Sequence, residues 1–179
     1  MKKLKAPKYW LALPVILAAY IAVKGGGQAP TMLALRLVLL AVGYAAALTD
    51  ILEKRVPNRL VAALAAAWLL ILAPLVLYDP DSAIAIGLNG FLGFMIAGVV
   101  LLVVYIVSRR GLGGGDVKLM SVAGLYLGYD GALSALLYGS VLSAVTALIL
   151  ILTKKMTAKD AIPLVPFLYV GILVTEFIR

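Results

Sequence analysis

Long apolar segments separated by short polar connections are the strongest constraint on what this chain can fold into. Apolar residues make up 64% of the 179 residues, and the mean hydropathy is +1.11, whereas soluble domains are about 45–50% apolar. Apolar segments of roughly 18 residues or more are typical of membrane-spanning helices. We therefore predict an all-α, polytopic integral membrane helix bundle in contact with the lipid bilayer. Its six long hydrophobic helices are expected at residues 9–23, 32–49, 60–77, 83–107, 132–152 and 162–178.

A seventh apolar segment, residues 117–127, is too short to cross a membrane in a simple way. A helix of this length would extend about 16 Å, which is roughly half of a bilayer core. We predict a short helix here, either buried among the other helices or re-entrant. Residues 1–179 contain no sizeable soluble region, so we expect a single transmembrane domain in which residues 9–23 form an N-terminal anchor helix.

The polar connections alternate in charge along the chain, whose net charge is +8. Lysine and arginine concentrate in the N-terminus and at residues 53–59, 108–118 and 153–160, whereas residues 78–82 and 128–131 carry aspartate. The positive-inside rule assigns the basic connections to the cytoplasm, so we expect the N-terminus and the end of the second apolar segment there. The other interpretation of the charge is nucleic-acid binding. Flanking of membrane segments explains the charge better, and no nucleic-acid partner is expected.

The sequence contains neither histidine nor cysteine. This excludes an imidazole base, a thiolate zinc site and a cysteine nucleophile, and we expect no metal and no other cofactor. Acid–base chemistry must then use carboxylates, lysines or tyrosines. Asp50 ends the second apolar segment and Asp116 begins the short one. Ionisable residues beside apolar segments are costly and are therefore candidates for function.

Asp50 and Asp116 also have structural explanations. Asp116 fits a helix N-cap, and Asp50 fits a membrane boundary or a pair with Lys54 one helical turn later. The predicted topology nevertheless places both aspartates at one membrane face. There, one ionised and one protonated carboxyl could activate water and polarise a carbonyl. Helix dipoles favour the negative charge on Asp116. Arg36 and Glu176 are expected to extend toward the outer interface.

Three glycines, Gly113, Gly114 and Gly115, directly precede Asp116. Glycine permits positive φ and close approach of another backbone, so an extended substrate could form main-chain hydrogen bonds beside this segment. A flexible loop and a phosphate-binding loop are the other interpretations. The phosphate-binding loop is disfavoured, because no Gly-Lys-Ser or Gly-Lys-Thr follows and no strand precedes.

At these residues the sequence resembles the type IV prepilin peptidase family, which are membrane aspartic proteases of the GxGD type. The first matching motif is TDILEKRVPNRL at residues 49–60, and the second is GGGDVKLMSVAGLYLG from Gly113. A weaker match, IPLVPFLYVG at residues 162–171, is similar to the proline-containing segment of the family's last helix. The resemblance extends over roughly residues 32–171.

The resemblance implies a GxGD protease core at about residues 32–178, with Asp50 and Asp116 as the catalytic pair. Gly113, Gly114 and Gly115 would shape the active-site loop. The implied activity is removal of the short basic leader peptide from prepilin-like precursors, at the cytoplasmic face of the inner membrane. Larger members carry a cysteine-containing N-terminal region and also N-methylate their product. This chain resembles the short form, so methyltransferase activity is not expected.

The resemblance also implies an acidic residue in the substrate shortly after the cut, which cations on the catalytic face could bind. These cations are Lys54, Arg55, Arg59, Arg109, Arg110 and Lys118, and Lys118 is the first candidate because it lies two residues from Asp116. Lys118, Arg55 and Asn58 are the candidate substrate-binding residues. The other interpretation is that such cations only set topology and contact lipid headgroups. A small transporter or proton relay is the alternative function, since membrane carboxylates suit that class too. The sequence gives no indication of the oligomeric state.

Overall fold

The computed structural model describes residues 10–108, 112–157 and 162–179. These residues form helices with short connections, and no strand occurs among them, which confirms the predicted all-α class. A single 3₁₀ turn, Gly25–Gly27, follows the first helix. The helices are α1 (Ala12–Lys24), α2 (Pro30–Glu53), α3 (Asn58–Tyr78), α4 (Pro80–Val107), α5 (Gly114–Leu152) and α6 (Val165–Ile178).

Four helices, α2 to α5, are long and apolar enough to cross a membrane, which indicates a membrane protein. The two terminal helices are shorter, with 13 residues in α1 and 14 in α6, so the prediction of six long hydrophobic helices is wrong. Prolines explain the late start of both. Proline fits the first turn of a helix, where no backbone N–H is needed, and is disfavoured further inside. Pro14 accordingly lies in the first turn of α1 and Pro166 in the first turn of α6, while Pro163 precedes α6.

Helix α5 consists of two segments that meet at Gly128. This glycine has φ 69° and ψ −179°, a combination that is essentially restricted to glycine. Leu127, just before it, accepts a hydrogen bond from Arg179 at the end of α6. A Cβ at Gly139, further along, would lie 2.8 Å from the Cα of Leu168 near the start of α6. The chain therefore reverses direction at Gly128, and the short helix predicted at residues 117–127 is confirmed as a separate segment, residues 114–127.

Glycines let both segments of α5 approach their neighbours at backbone distance. A Cβ at Gly93 of α4 would overlap the carbonyl oxygen of Gly124, and one at Gly171 of α6 would overlap that of Ala135. Small residues at such positions are typical of helix packing within membranes. These contacts fix the first segment of α5 against α4 and the second against α6.

Buried charges are paired with each other at the end of the bundle where α5 reverses. The Arg36 guanidinium donates to Glu176 Oε1 and, at 2.9 Å, to the carbonyl oxygen of Tyr126. Tyr20 donates its hydroxyl to Glu176 Oε2 at 3.3 Å, and Glu176 is only 4% exposed. The expectation that Arg36 and Glu176 extend separately to the interface is therefore wrong. The physical reason is that Arg36 and Glu176 neutralise each other's charge. The carbonyl oxygen of Tyr126, next to the interruption of α5 at Gly128, is a further acceptor for Arg36.

Side chains from several helices also satisfy the backbone around Gly128. This matters because an unpaired backbone group within a membrane costs several kcal/mol. The hydrogen bonds run from Arg179 to the Leu127 oxygen, from Trp68 Nε1 to the Leu125 oxygen, and from the Tyr129 N–H to Asn89 Oδ1. The reversal is thus held in one position rather than left as a loose hinge.

Candidate active site

A cleft of about 430 Å³ lies at the other end of the bundle. The C-terminus of α2, the turn between α2 and α3, the N-terminus of α5 and the segment before α6 form its walls. It therefore brings together residues that are far apart in sequence, including both predicted catalytic aspartates. The lining residues among those described are Asp50, Lys54, Arg55, Val56, Pro57, Asn58, Leu112, Gly113, Gly114, Gly115, Asp116, Ile162, Pro163 and Leu164.

Asp50 lies in the last turn of α2 and is 5% exposed. Its Oδ2 accepts a hydrogen bond from the backbone N–H of Val165 at 3.2 Å. Val165 is the first residue of α6, and the first N–H groups of a helix have no partner within it. The N-terminus of α6 therefore holds the Asp50 carboxyl from across the cleft. This burial and this contact do not fit the interpretation of Asp50 as a solvated boundary residue.

Asp116 is the third residue of α5 and is 8% exposed. The N-cap of α5 is Gly113, so the interpretation of Asp116 as the N-cap is wrong. Instead, its carboxyl lies back against Gly113, where an added Cβ would be 3.2 Å from Asp116 Oδ2. The Asp116 backbone N–H also donates to the Gly113 carbonyl oxygen at 3.1 Å.

The three glycines before Asp116 have different surroundings. A Cβ at Gly113 would lie 3.2 Å from Asp116 Oδ2, and one at Gly115 would lie 3.1 Å from the Cβ of Val56 in the α2–α3 turn. A Cβ at Gly114 would meet no atom within 4 Å. Close packing thus accounts for glycine at both positions. Gly113 lies against the Asp116 carboxyl, and Gly115 lies against the α2–α3 turn that follows Asp50. The middle glycine borders open space in the cleft.

The electrostatics of the cleft combine two buried carboxyls with cations at the rim. Asp50 and Asp116 repel each other when both are ionised, so the state with one shared proton is favoured. Asp50 also accepts a hydrogen bond from the backbone N–H of Val165. The assignment of the charge to Asp116 from helix dipoles stays a prediction.

The substrate-binding candidates differ in whether they line the cleft. Arg55 and Asn58 are exposed and line the cleft. Lys118 is exposed but is not among the lining residues, because two helical positions after Asp116 correspond to a rotation of about 200° around α5. Their roles in binding stay predictions. Arg109 and Arg110, which the sequence also assigns to this face, lie outside the described residues.

One contributor to the cleft was not identified from the sequence. The backbone N–H of Val165 carries no side-chain signal, although the proline-flanked segment around it was noted as a weak match. Lys54, which the sequence places one helical turn after Asp50 as its possible partner, lines the cleft. Across the described ranges, no group of three or more Asp, Glu, His or Cys residues could hold a metal ion.

Comparison with known proteins gives one match. The model of the type IV leader peptidase family matches residues 37–148. This range contains most of α2, all of α3 and α4 and most of α5, and therefore both aspartates and the glycines before Asp116. No curated protein and no solved structure matches the chain.

Proposed function

The chain belongs to the type IV leader peptidase family, and on that premise we propose that it is an aspartic endopeptidase acting on prepilin-like precursors. It removes their leader peptides at the cytoplasmic face of the inner membrane. One observation carries the proposal: α2 and α5 deliver Asp50 and Asp116, 66 positions apart in sequence, to the same cleft with little solvent exposure. Two such carboxyls are the apparatus that peptide hydrolysis by water requires.

The reaction uses the pair in its singly protonated state. The ionised aspartate takes a proton from water, and the water oxygen forms a bond to the carbonyl carbon of the scissile peptide. The neutral aspartate gives its proton to the carbonyl oxygen, which yields a tetrahedral diol. In the second step a proton passes to the amide nitrogen and the carbon–nitrogen bond breaks. The products are the leader's new carboxylate and a new amino terminus on the mature protein.

The charge distribution supports a cytoplasmic position for the cleft. Lys54, Arg55 and Arg59 all lie in or beside the α2–α3 turn at this end of the bundle. Lysine and arginine in short connections favour the cytoplasmic side. A leader peptide that precedes a hydrophobic segment would reach the cleft from that side without crossing the membrane.

The alternative of a transporter or proton relay has less support. Intramembrane carboxyls of that class lie on a path between the two sides of the membrane. Here the buried carboxyl nearest the opposite end, Glu176, is already bound to Arg36 and Tyr20. The ionisable groups at the two ends thus form two separate clusters and do not form one continuous route for protons across the membrane.

Co-expression with a prepilin tests the proposal, with loss of the leader scored by gel shift and by mass spectrometry of the mature terminus. The wild type is expected to process the precursor and Asp116→Ala to leave it intact. Asp130→Ala is the matched control, because Asp130 is an exposed aspartate near the reversal in α5, and it should process normally. An uncut precursor with the wild type, together with proton flux in proteoliposomes that Asp116→Ala abolishes, would favour the transporter.

A further inference from the structure

A cavity of about 190 Å³ lies beside the reversal in α5, at the other end of the bundle from the cleft that contains the two aspartates. The described residues that line it include two cations, Arg36 and Arg179, and no carboxylate, because Glu176 contacts Arg36 without lining the cavity. The other ionisable residue in the lining, Tyr126, donates its hydroxyl to the Leu64 carbonyl oxygen at 2.6 Å. Among the described residues, the charge at this cavity is therefore entirely positive.

Both guanidinium groups keep N–H donors for a ligand. A guanidinium has five such donors, and the hydrogen bonds that Arg36 and Arg179 make with described residues all start from Nη1. In that part of the chain, no buried side-chain nitrogen or oxygen lacks a partner, so Nε and Nη2 of the two arginines are accessible rather than enclosed. The planar guanidinium fork matches the oxygens of a phosphate or a carboxylate. The cavity is therefore suited to an anion.

The cavity continues into a second one of about 320 Å³. The residues that line both cavities are Met32, Ala85 and Ile86. The second cavity reaches Thr31 near the start of α2 and Ser82 near the start of α4. Asp79, which also lines it, accepts a hydrogen bond from the Ser82 N–H at 3.1 Å and caps α4. The two cavities together form a groove between α2 and α4, which has room for an anion attached to a larger amphiphilic molecule.

The position of Arg36 along α2 favours a lipid as that molecule. Arg36 and Asp50 are fourteen positions apart, about 21 Å along the helix, whereas the hydrocarbon core of a bilayer is about 30 Å thick. The two ionisable clusters therefore cannot both lie at the surfaces of an undeformed bilayer. Charged groups below the surface are accommodated by local thinning of the bilayer, which brings headgroups toward them. The anionic group that phospholipid headgroups share is phosphate.

We propose that the groove between α2 and α4 binds a phospholipid, whose phosphate accepts hydrogen bonds from Arg36 and Arg179. The same two side chains donate to the carbonyl oxygens of Tyr126 and Leu127, directly before Gly128. A bound phosphate holds both guanidinium groups in place, so an occupied site stabilises the reversal in α5. The site is separate from the aspartate cleft and does not depend on the peptidase function.

Thermal unfolding of the purified protein in mild detergent, with phosphatidylglycerol added, tests the proposal, and native mass spectrometry counts the lipids that stay bound. Diacylglycerol with the same acyl chains lacks the phosphate and is the matched lipid, and inorganic phosphate is the matched dissolved anion. With phosphatidylglycerol at roughly 100 times its dissociation constant, the unfolding temperature should rise by about 5–10 °C. Diacylglycerol and inorganic phosphate should change it little.

Two pairs of variants locate the site, each measured against the same variant without lipid. Arg179→Gln removes one of the two cations and should weaken lipid binding at least about tenfold. Lys24→Gln is its control, because Lys24 is a cation near Glu176 that does not line the cavity.

The second pair of variants leaves both arginines in place. Ala85→Phe narrows the groove and should weaken lipid binding as well, and it should fold normally because Ala85 is exposed. Ile84→Phe adds bulk at the neighbouring exposed position, which lines neither cavity, and should bind lipid like the wild type.

Other outcomes overturn the proposal. An equal shift with diacylglycerol would show that the phosphate is not recognised, and an equal shift with inorganic phosphate would show a site for a dissolved anion instead of a lipid. Unchanged binding by Arg179→Gln and Ala85→Phe would exclude this groove as the site. None of these measurements uses cleavage, so a failure of the peptidase function is a distinct result.

Discussion

Two pairs of ionisable residues with low solvent exposure connect α2 to another helix, one pair at each end of the bundle. At one end, Arg36 of α2 meets Glu176 of α6, and the pair is completed by Tyr20 and the Tyr126 carbonyl. At the other end, Asp50 of α2 shares a cleft with Asp116 of α5. Fourteen positions of α2 separate Arg36 from Asp50, about 21 Å along the helix. Glu176, Asp50 and Asp116 are buried and Arg36 is partly buried. The first pair joins opposite charges, whereas the second joins two groups of like charge.

The comparison indicates two different roles for ionisable groups with low exposure in this chain: one pair stabilises the fold and the other is suited to catalysis. Opposite charges with satisfied hydrogen bonds hold elements together, and removing one partner leaves the other uncompensated. Like charges at an accessible cleft cannot satisfy each other, and only a shared proton or a substrate relieves them. We therefore expect substitutions at the Arg36–Glu176 pair to change stability, and substitutions at the aspartate pair to change activity.

The largest expected change in stability follows from Glu176→Gln. It leaves the Arg36 charge without a partner, and breaking a buried pair typically costs about 3–5 kcal/mol. We expect the lower end of this range, because the Arg36 side chain keeps 16% exposure. Thermal unfolding in mild detergent, followed by circular dichroism, measures the loss, whereas cleavage per folded molecule should remain close to wild type.

Asp116→Asn is the matched substitution at the other end, and it should leave the unfolding temperature unchanged or raised because it removes a repulsion. The double variant Arg36→Met/Glu176→Gln should be less destabilised than the sum of its single substitutions. A stable Glu176→Gln protein that no longer cleaves would contradict the claim that the Arg36–Glu176 pair serves stability and the aspartate pair serves activity.

The reversal in α5 gives a prediction of intermediate size. Gly128→Ala forces a side chain into a backbone conformation that costs about 1–3 kcal/mol. Its Cβ would also lie 2.6 Å from Asn89 Nδ2. We expect a loss of stability in this range, measured by the same unfolding assay, with Gly87→Ala as a control whose nearest neighbour would be 3.9 Å away. An unchanged unfolding temperature for Gly128→Ala would contradict the fixed reversal.

The smallest predicted effect is a difference in cleavage rate between alanine substitutions at two of the glycines before Asp116. Gly115→Ala presses on Val56 and shifts the loop by a few tenths of an ångström, and misplacement on this scale costs about tenfold in rate. Gly114→Ala places its methyl group in open space and should cleave within about twofold of wild type. Initial cleavage rates at saturating precursor measure both. Equal losses for the two variants would show that packing against the α2–α3 turn does not set the position of Asp116.

Much of the fold and of the candidate site could be predicted from the sequence, because the bilayer restricts which secondary structures can cross it. Apolar segments predicted the helices, and the shortness of residues 117–127 predicted a separate short helix there. The aspartate pair stood out once histidine and cysteine were absent. The lengths of α1 and α6 were not predicted, because hydropathy alone placed the helix starts and the effect of Pro14, Pro163 and Pro166 on them was not used. Nor was the contact between Val165 and Asp50, because a backbone donor leaves no trace in the identity of its residue.

The most direct test of the central claim is a double-mutant cycle on the cleavage rate of purified protein with Asp50→Asn, Asp116→Asn and both together. If the two aspartates act as one unit, each single substitution should lower the rate by at least about 10³-fold, and the double should be no slower than either. Unfolding temperatures near that of the wild type would confirm that all three variants are folded. Substantial cleavage by either single variant, or losses that multiply in the double, would contradict the claim that Asp50 and Asp116 share one catalytic proton.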